Sequence, residues 1–229
     1  MQSLEDHFKV PVRLENDADS AAMGEFLFGA GRCANPLVML TFGTGIGFAT
    51  IVDGKILRGT SGSHPELGHI PTDSGGPSCY CGIDGCFESM ASGTAIEQAG
   101  RKIGLMTTRE VFQAYKSEHH SQHRDARKII DNALFAVEQA AWSIAHLFVP
   151  ERILLGGGMM ENHYDLFALA IRDSLARTVM IQPNSIEIAS TRLGNLAGVI
   201  GAASLVMHHS EPFDFVSYEA KPFEDWLNK

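Results

Sequence analysis

The sequence predicts an α/β protein, and three observations carry that expectation. Runs of β-branched and apolar residues at 37–40, 46–52, 152–155 and 186–189 read as short strands. Longer segments at 94–104, 108–118 and 124–149 place apolar residues at helical spacing, and 161–179 reads as a further helix. In the 124–149 segment the stripe is Ile129, Ile130, Ala133, Leu134, Val137, Ala140, Ala141, Ile144 and Phe148. Strand ends are marked by glycine: Thr41-Phe42-Gly43-Thr44-Gly45 joins the first two runs, and Gly156-Gly157-Gly158 follows the third.

Taken in order, residues 1–9 are polar and amphipathic and read as the end of a helix. Val10, Val12 and Leu14 alternate with Pro11 and Arg13, which predicts a short strand with one buried face. Asn16 or Asp17 then caps a helix through Ala21, Ala22, Glu25 and Leu27 that ends at Gly29 and Gly31. Asp19 is expected to point elsewhere, as a solvated carboxylate or one facing the helix dipole. A turn of Gly and Thr between two strands presents N–H groups and hydroxyls to a phosphate. On its own, Gly43-Thr44-Gly45-Ile46-Gly47 is a weak signal, because glycine-rich hairpins are common. Asp53-Gly54 makes a hairpin turn into residues 55–57. His119, His120 and His123 read as a solvated linker rather than a second metal site. Pro150 ends the long helix. The glycines at 156–158 either let a nucleotide approach the backbone or ease a crowded strand–helix crossing. Leu196, Val199, Ile200, Ala203, Leu205 and Val206 predict a last, buried helix, rich in Gly and Ala and therefore closely packed. Phe213, Phe215, Tyr218, Phe223 and Trp226 in the tail are expected to pack on this chain or on a neighbour.

At 229 residues the chain can bury a sizeable core, as one large domain or one and a half ordinary ones. The 27 acidic side chains outnumber 18 basic ones, which argues against a nucleic-acid surface. Nothing reads as an export signal, and the longest uncharged run, 193–207, is shorter than the ~18 residues a membrane span needs. Four cysteines, three of them clustered, suit a reducing cytoplasm.

The cluster lies in the segment 69–88, HIPTDSGGPSCYCGIDGCFE. His69, Cys79, Cys81 and Cys86 offer one imidazole and three thiols, a closed tetrahedral shell that suits structural zinc. Gly75, Gly76, Gly82 and Gly85 permit the tight folding such a shell requires. Glu88 reads locally as a helix N-terminal acid.

HPELGH followed by CYCGIDGCFE resembles the zinc-binding signature of the ROK family of repressors, open reading frames and sugar kinases. ENDADSAAMGE, TFGTGIGFATIVDGKI, LLGGGM and TRLGNLAGVIGAA stand around it in the family's order, from about residue 10 to 207. The resemblance implies the actin-like, hexokinase-type ATPase fold and ATP-dependent phosphorylation of a hexose with Mg2+. It implies Asp17 as the base that takes the sugar proton, with Asn16, Glu66, His69 and Glu88 binding sugar hydroxyls. Carboxylates suit that work, because each is acceptor-only and a sugar offers several O–H donors in fixed directions. Thr41, Gly43, Thr44 and Gly45 would meet phosphate, and Gly156 and Gly157 the adenosine. His69 would both ligate zinc and touch the sugar. The family normally starts with a lobe of about a hundred residues carrying an Asp-x-Gly-Gly-Thr phosphate loop, and no such motif precedes Val10. Residues 1–229 are therefore expected to form mainly the C-terminal lobe, with its zinc-binding loop at 69–88, and to be inactive alone or to pair with a separately encoded first lobe. Family habit implies a homo-oligomer, a dimer. The alternatives are a non-catalytic sugar-sensing module and, further off, a plain zinc-binding structural domain.

Overall fold

The computed structural model describes residues 2–182 and 184–207. The tail aromatics Phe213, Phe215, Tyr218, Phe223 and Trp226 lie outside the described residues. A first helix, α1 (Gln2–Phe8), leads through an irregular segment to α2 (Asp17–Phe28). Strands β1 (Leu37–Phe42), β2 (Ile46–Val52) and β3 (Lys55–Ile56) follow as a meander. Four helices come next: α3 (Phe87–Ala91), α4 (Gly93–Arg101), α5 (Thr108–Lys116) and α6 (His123–Phe148). The chain then runs through β4 (Arg152–Gly156), α7 (Met160–Ala176), β5 (Glu187–Ser190) and α8 (Ala197–Met207).

The five strands form one mixed sheet in the order β3-β2-β1-β4-β5. β1 pairs antiparallel with β2 and parallel with β4, and β5 extends the parallel side. Side chains alternate across a strand, so β1 feeds two cores. Val38, Leu40 and Phe42 join the core under α3–α7, while Leu37 and Met39 join a second core under α2. Both faces of the sheet are covered, and the strands accordingly read as near-continuous apolar runs.

Helix α2 begins where the sequence places it: the Asn16 side-chain oxygen accepts from the N–H groups of Ala18 (2.8 Å) and Asp19 (3.1 Å). Its far end is held by Glu25, which is fully buried. That carboxylate accepts from the backbone N–H of Ala30 at 2.8 Å, Arg192 at 2.8 Å and Leu193 at 2.6 Å. It thus ties α2 to the turn that feeds α8.

Three expectations are corrected. Residues 10–14 form no strand; Val10 and Leu14 are exposed, and among the described residues no strand pairs with them. Asp19 is not solvated but 1% exposed, held in an ion-paired cluster described below. In α8 the buried face is made of Ala197, Gly201 and Ser204, while Leu196, Val199 and Val206 near or along it are exposed. The helix backbones approach so closely that a Cβ on Gly201 would overlap Ser20, and one on Gly24 would overlap Ala197. Only the small residues fit that seam, so the large ones turn outward.

Candidate active site and metal centre

The candidate residues gather around the β1–β2 turn. Gly43 N–H bonds to Gly45 O at 3.0 Å and closes the turn, while Gly93 N–H at the start of α4 reaches Gly43 O at 2.8 Å. Glu88, on α3, accepts from Ile46 N–H at 2.8 Å through Oε2. That leaves Oε1 for another donor. A Cβ on Gly45 would lie 2.5 Å from the same Oε2, so glycine here is what lets the carboxylate sit against the turn. On the other side a Cβ at Gly47 would fall 3.2 Å from Ala18, the residue after Asp17. Ala18 of α2 and the half-buried Glu88 of α3 thus both approach the first residues of β2, and Asp17 beside Ala18 is exposed.

Asp17 Oδ1 accepts from Ala18 N–H at 2.8 Å. The side-chain oxygen of Asn16 is engaged as the helix cap, so its amide N–H₂ is the part left to meet a ligand.

His69, Cys79, Cys81 and Cys86 come together with their ligand atoms all within 4.8 Å of one another. Cys79 Sγ lies 3.4 Å from His69 Nδ1, and Cys81 Sγ lies 3.4 Å from Cys86 Sγ. Among the described residues this is the one cluster that could hold a metal. The donor set fits a divalent ion. Burial, and then the neighbouring thiols of Cys81 and Cys79, push the Cys86 thiol up to about 12, so thiolates would crowd here without a cation to balance them. Cys33 lies elsewhere and is exposed.

With Nδ1 facing the cysteines, His69 turns Nε2 toward the Tyr80 hydroxyl at 2.9 Å. Desolvation and then the carboxylate of Glu88, with a smaller contribution from Glu66, raise the pKa of that phenol. The Tyr80 hydroxyl thus contacts His69 and feels the charge of Glu88, two of the four expected sugar-binding residues. Sequence reasoning passed over Tyr80, since an aromatic between two cysteines carries no signal of its own.

A second group of neighbours involves the glycines after β4. Gly156 is the last residue of that strand and pairs with Thr41. Gly157 has φ +89°, and a Cβ there would collide with the Phe42 backbone. Met159 N–H bonds to Phe42 O at 3.2 Å. The Thr41–Gly45 turn and the Gly156–Gly157 loop are thus adjacent, at the carboxyl ends of two parallel strands, where α/β sheets commonly bind ligands. Two cavities flank the start of α7. One of about 280 Å³ is lined by Thr41, Gly157, Glu161, Thr191, Arg192 and Asn195. The other, of about 480 Å³, is lined by Arg109, Phe112, Lys116, Gly158, Asn162 and His163. In the latter, His163 stacks on Phe112 with ring centroids 3.6 Å apart, and burial, aided by Lys116, lowers its pKa to about 4. It is a neutral ring at physiological pH.

The remaining cluster was not foreseen. Asp19 pairs with both Arg58 and His64, and Arg58 also reaches Glu15. Local sequence could not show it, because the partners stand about 40 residues apart.

Comparison with known proteins places this geometry. A family model described as "ROK family" matches residues 1–209. The chain is 32% identical to a glucokinase of Halalkalibacterium halodurans, over 89% of this chain and 66% of that protein. It is 31% identical to the xylose repressor of Bacillus spizizenii, over 90% of this chain and 53% of the repressor. The chain therefore spans just under two thirds of the one relative and about half of the other. Among solved structures, a ROK family glucokinase from Streptomyces griseus, in complex with glucose and AMPPNP, superposes with a TM-score of 0.73 at 27% identity, over 89% of this chain and 70% of that one. The fold is that of the ROK hexokinases, the actin-like ATPase fold.

Proposed function

Since this chain belongs to the ROK family, we propose that it forms the sugar-binding wall of an ATP-dependent hexose kinase. The observation that supports this reading is the meeting of His69 and Glu88 beside the β1–β2 turn, His69 at the Tyr80 hydroxyl and Glu88 on Ile46 N–H. Asp17 opens α2, whose next residue, Ala18, lies close to Gly47 of β2, and its Oδ1 accepts from Ala18 N–H. A polyol entering there would displace the Tyr80 hydroxyl and offer its own O–H groups to the carboxylates of Glu66 and Glu88. The amide of Asn16 would hold a neighbouring oxygen. Asp17 would then take the proton of the hydroxyl that attacks the γ-phosphate, a contribution of about 10²–10⁴-fold when it lies within hydrogen-bond reach.

ATP would lie with its phosphates toward Thr41, Gly43, Thr44 and Gly45 and its adenosine against Gly156 and Gly157. Zinc held by His69, Cys79, Cys81 and Cys86 would supply rigidity to the His69 imidazole, and Mg2+ carried with ATP would offset phosphoryl charge. With Nδ1 facing the cysteines, a bound ion would fix the tautomer and leave Nε2 as the nitrogen for the sugar. The sequence contains no Asp-x-Gly-Gly-Thr, so we place that phosphate loop on another lobe, encoded separately or in the same gene. Much of phosphoryl transfer is positioning, and residues 1–229 alone are expected to bind a hexose without steady turnover.

The test is calorimetric titration of the zinc-loaded chain with D-glucose and D-fructose, coupled to a product assay with Mg-ATP. We expect binding that is lost in Glu88→Gln, and phosphorylation only after a ROK first lobe is added. Absence of hexose binding would overturn the reading. Binding with no product even when that lobe is added would favour the sugar-sensing alternative, to which the xylose repressor relatives give some weight.

A further inference from the structure

Asp19 is one of few charged side chains buried in this molecule, and its surroundings are unusual for a structural ion pair. Its carboxylate is 1% exposed, and its Oδ1 has no hydrogen-bond partner. Oδ2 receives His64 Nδ1 at 2.9 Å and also Arg58 Nη1. His64 Nδ1 also lies 3.4 Å from Arg58 Nη1, so the three side chains contact one another in a closed cluster. Arg58 extends its other terminal nitrogen to Glu15. Both acids flank the Asn16–Asp17 pair. Each is also bonded to Asn16 directly: Glu15 Oε1 accepts Asn16 N–H at 2.7 Å, and Asp19 N–H donates to Asn16 Oδ1 at 3.1 Å.

The far side of the cluster is equally well placed. Arg58 and His64 bracket a small loop that closes on itself, with Gly59 N–H bonded to Ser63 O at 2.8 Å. After His64 the chain passes through Pro65 to Glu66 with little freedom, because proline fixes its own φ and restricts the residue before it. Three side chains thus fasten the segment bearing the proton acceptor to the segment bearing a sugar carboxylate, and those segments share no strand or helix.

Stability does not explain this investment. Desolvating an ion pair usually offsets most of its Coulomb gain, and well-packed apolar residues often do as well or better. Burial raises the Asp19 pKa in spite of His64 and Arg58, so the fold disfavours the very charge it holds. What the ion pair supplies is a fixed geometry.

We propose that Asp19, His64 and Arg58 are positioning residues that set the spacing between Asp17 and Glu66, and hence the width of the hexose pocket. The inference rests on the sugar-binding reading above. Its test uses the full 229-residue chain, loaded with zinc and titrated with whichever of D-glucose, D-fructose and D-mannose the unsubstituted chain binds best. Asp19→Asn and His64→Leu should weaken binding by about ten- to a hundred-fold, the scale of a misplacement near 1 Å. His64→Asn, whose amide nitrogen falls near the position of Nδ1, should restore affinity to within a few-fold.

Thermal melting and zinc content of every variant complete the experiment. Asp19→Asn should melt no lower than the unsubstituted chain at pH 7 and retain its zinc. Equal sugar affinity in all variants would overturn the positioning role and leave the sugar site standing. Loss of affinity that tracks a lowered melting temperature, with no rescue by His64→Asn, would reduce the cluster to a structural one and also overturn it. Failure of the unsubstituted chain to bind any of the three sugars would instead defeat the underlying reading, and this inference with it.

Discussion

At the scale of single residues, the chemistry depends on which oxygen or nitrogen is already occupied. Asn16 gives its oxygen to the helix cap, Glu88 gives Oε2 to Ile46, and Asp17 gives Oδ1 to Ala18. Each is left with one group for a ligand, in a direction set by the bond it has made. Asp19 has a different signature, which pH can read. Burial raises its pKa above the ordinary carboxylate range. The folded protein therefore holds that proton more tightly than the unfolded chain does. Its stabilising effect is fully present below the unfolded-state pKa and is lost as pH rises through the raised one. The melting temperature of the unsubstituted chain minus that of Asp19→Asn should accordingly fall as pH climbs out of the acid range. Differential scanning calorimetry from pH 3.5 to 7 checks the sign, and a difference that grows with pH would contradict it. The Asn16 helix cap and the clustering of His69 with three cysteines were legible as letters at fixed spacing, whereas the surroundings of Asp19 were misread because its partners come from a different segment.

Among elements, the contact between α2 and α8 shows how far a hydropathy pattern can mislead. Leu196, Val199 and Val206 look like the buried face of the last helix, yet they are 63%, 70% and 55% exposed. The seam is set by backbone proximity at Gly24 and Gly201, for which a pattern of large apolar residues gives no cue. A Cβ at position 201 would overlap the Ser20 carbonyl, which is backbone and cannot swing aside. Gly201→Ala should therefore cost about 1–3 kcal/mol or more despite the better helix propensity of alanine. Urea unfolding at unchanged m-value would measure it, and a neutral or stabilising result would show that the helices can separate freely. Strands gave the opposite experience. β1, β2, β4 and β5 appear within a residue or two of their expected limits, because sheets covered on both faces demand unbroken apolar runs. The run from Val10 to Leu14 has the right alternation but no partner strand, and alternation without a ladder does not make a strand.

For the whole molecule, the sheet is the rigid part and the 69–88 loop the dependent one. The sheet packs between two apolar cores, whereas the loop has mainly turns and two isolated bridges, Pro71 with Cys86 and Ser78 with Asp84. Removing the metal with a chelator should thus abolish hexose binding and expose loop amides to exchange, while the amides of β1 stay protected. Hydrogen-exchange mass spectrometry beside a zinc assay would follow both, and loss of protection throughout β1 would mean that the ion supports the entire fold. The sequence by itself determined the α/β class, the helix that starts at Asn16, the Cys₃His set and the Gly-Thr turn, because each is a local matter of spacing, capping or ligand chemistry. Only the tertiary structure decided that His69 meets the Tyr80 hydroxyl and Glu88 the β1–β2 turn, that Asp19 is gripped by Arg58 and His64, and which side of α8 is hidden. Those outcomes follow from packing between segments distant in the chain, where the depth of burial and the identity of a neighbour are set by the fold as a whole.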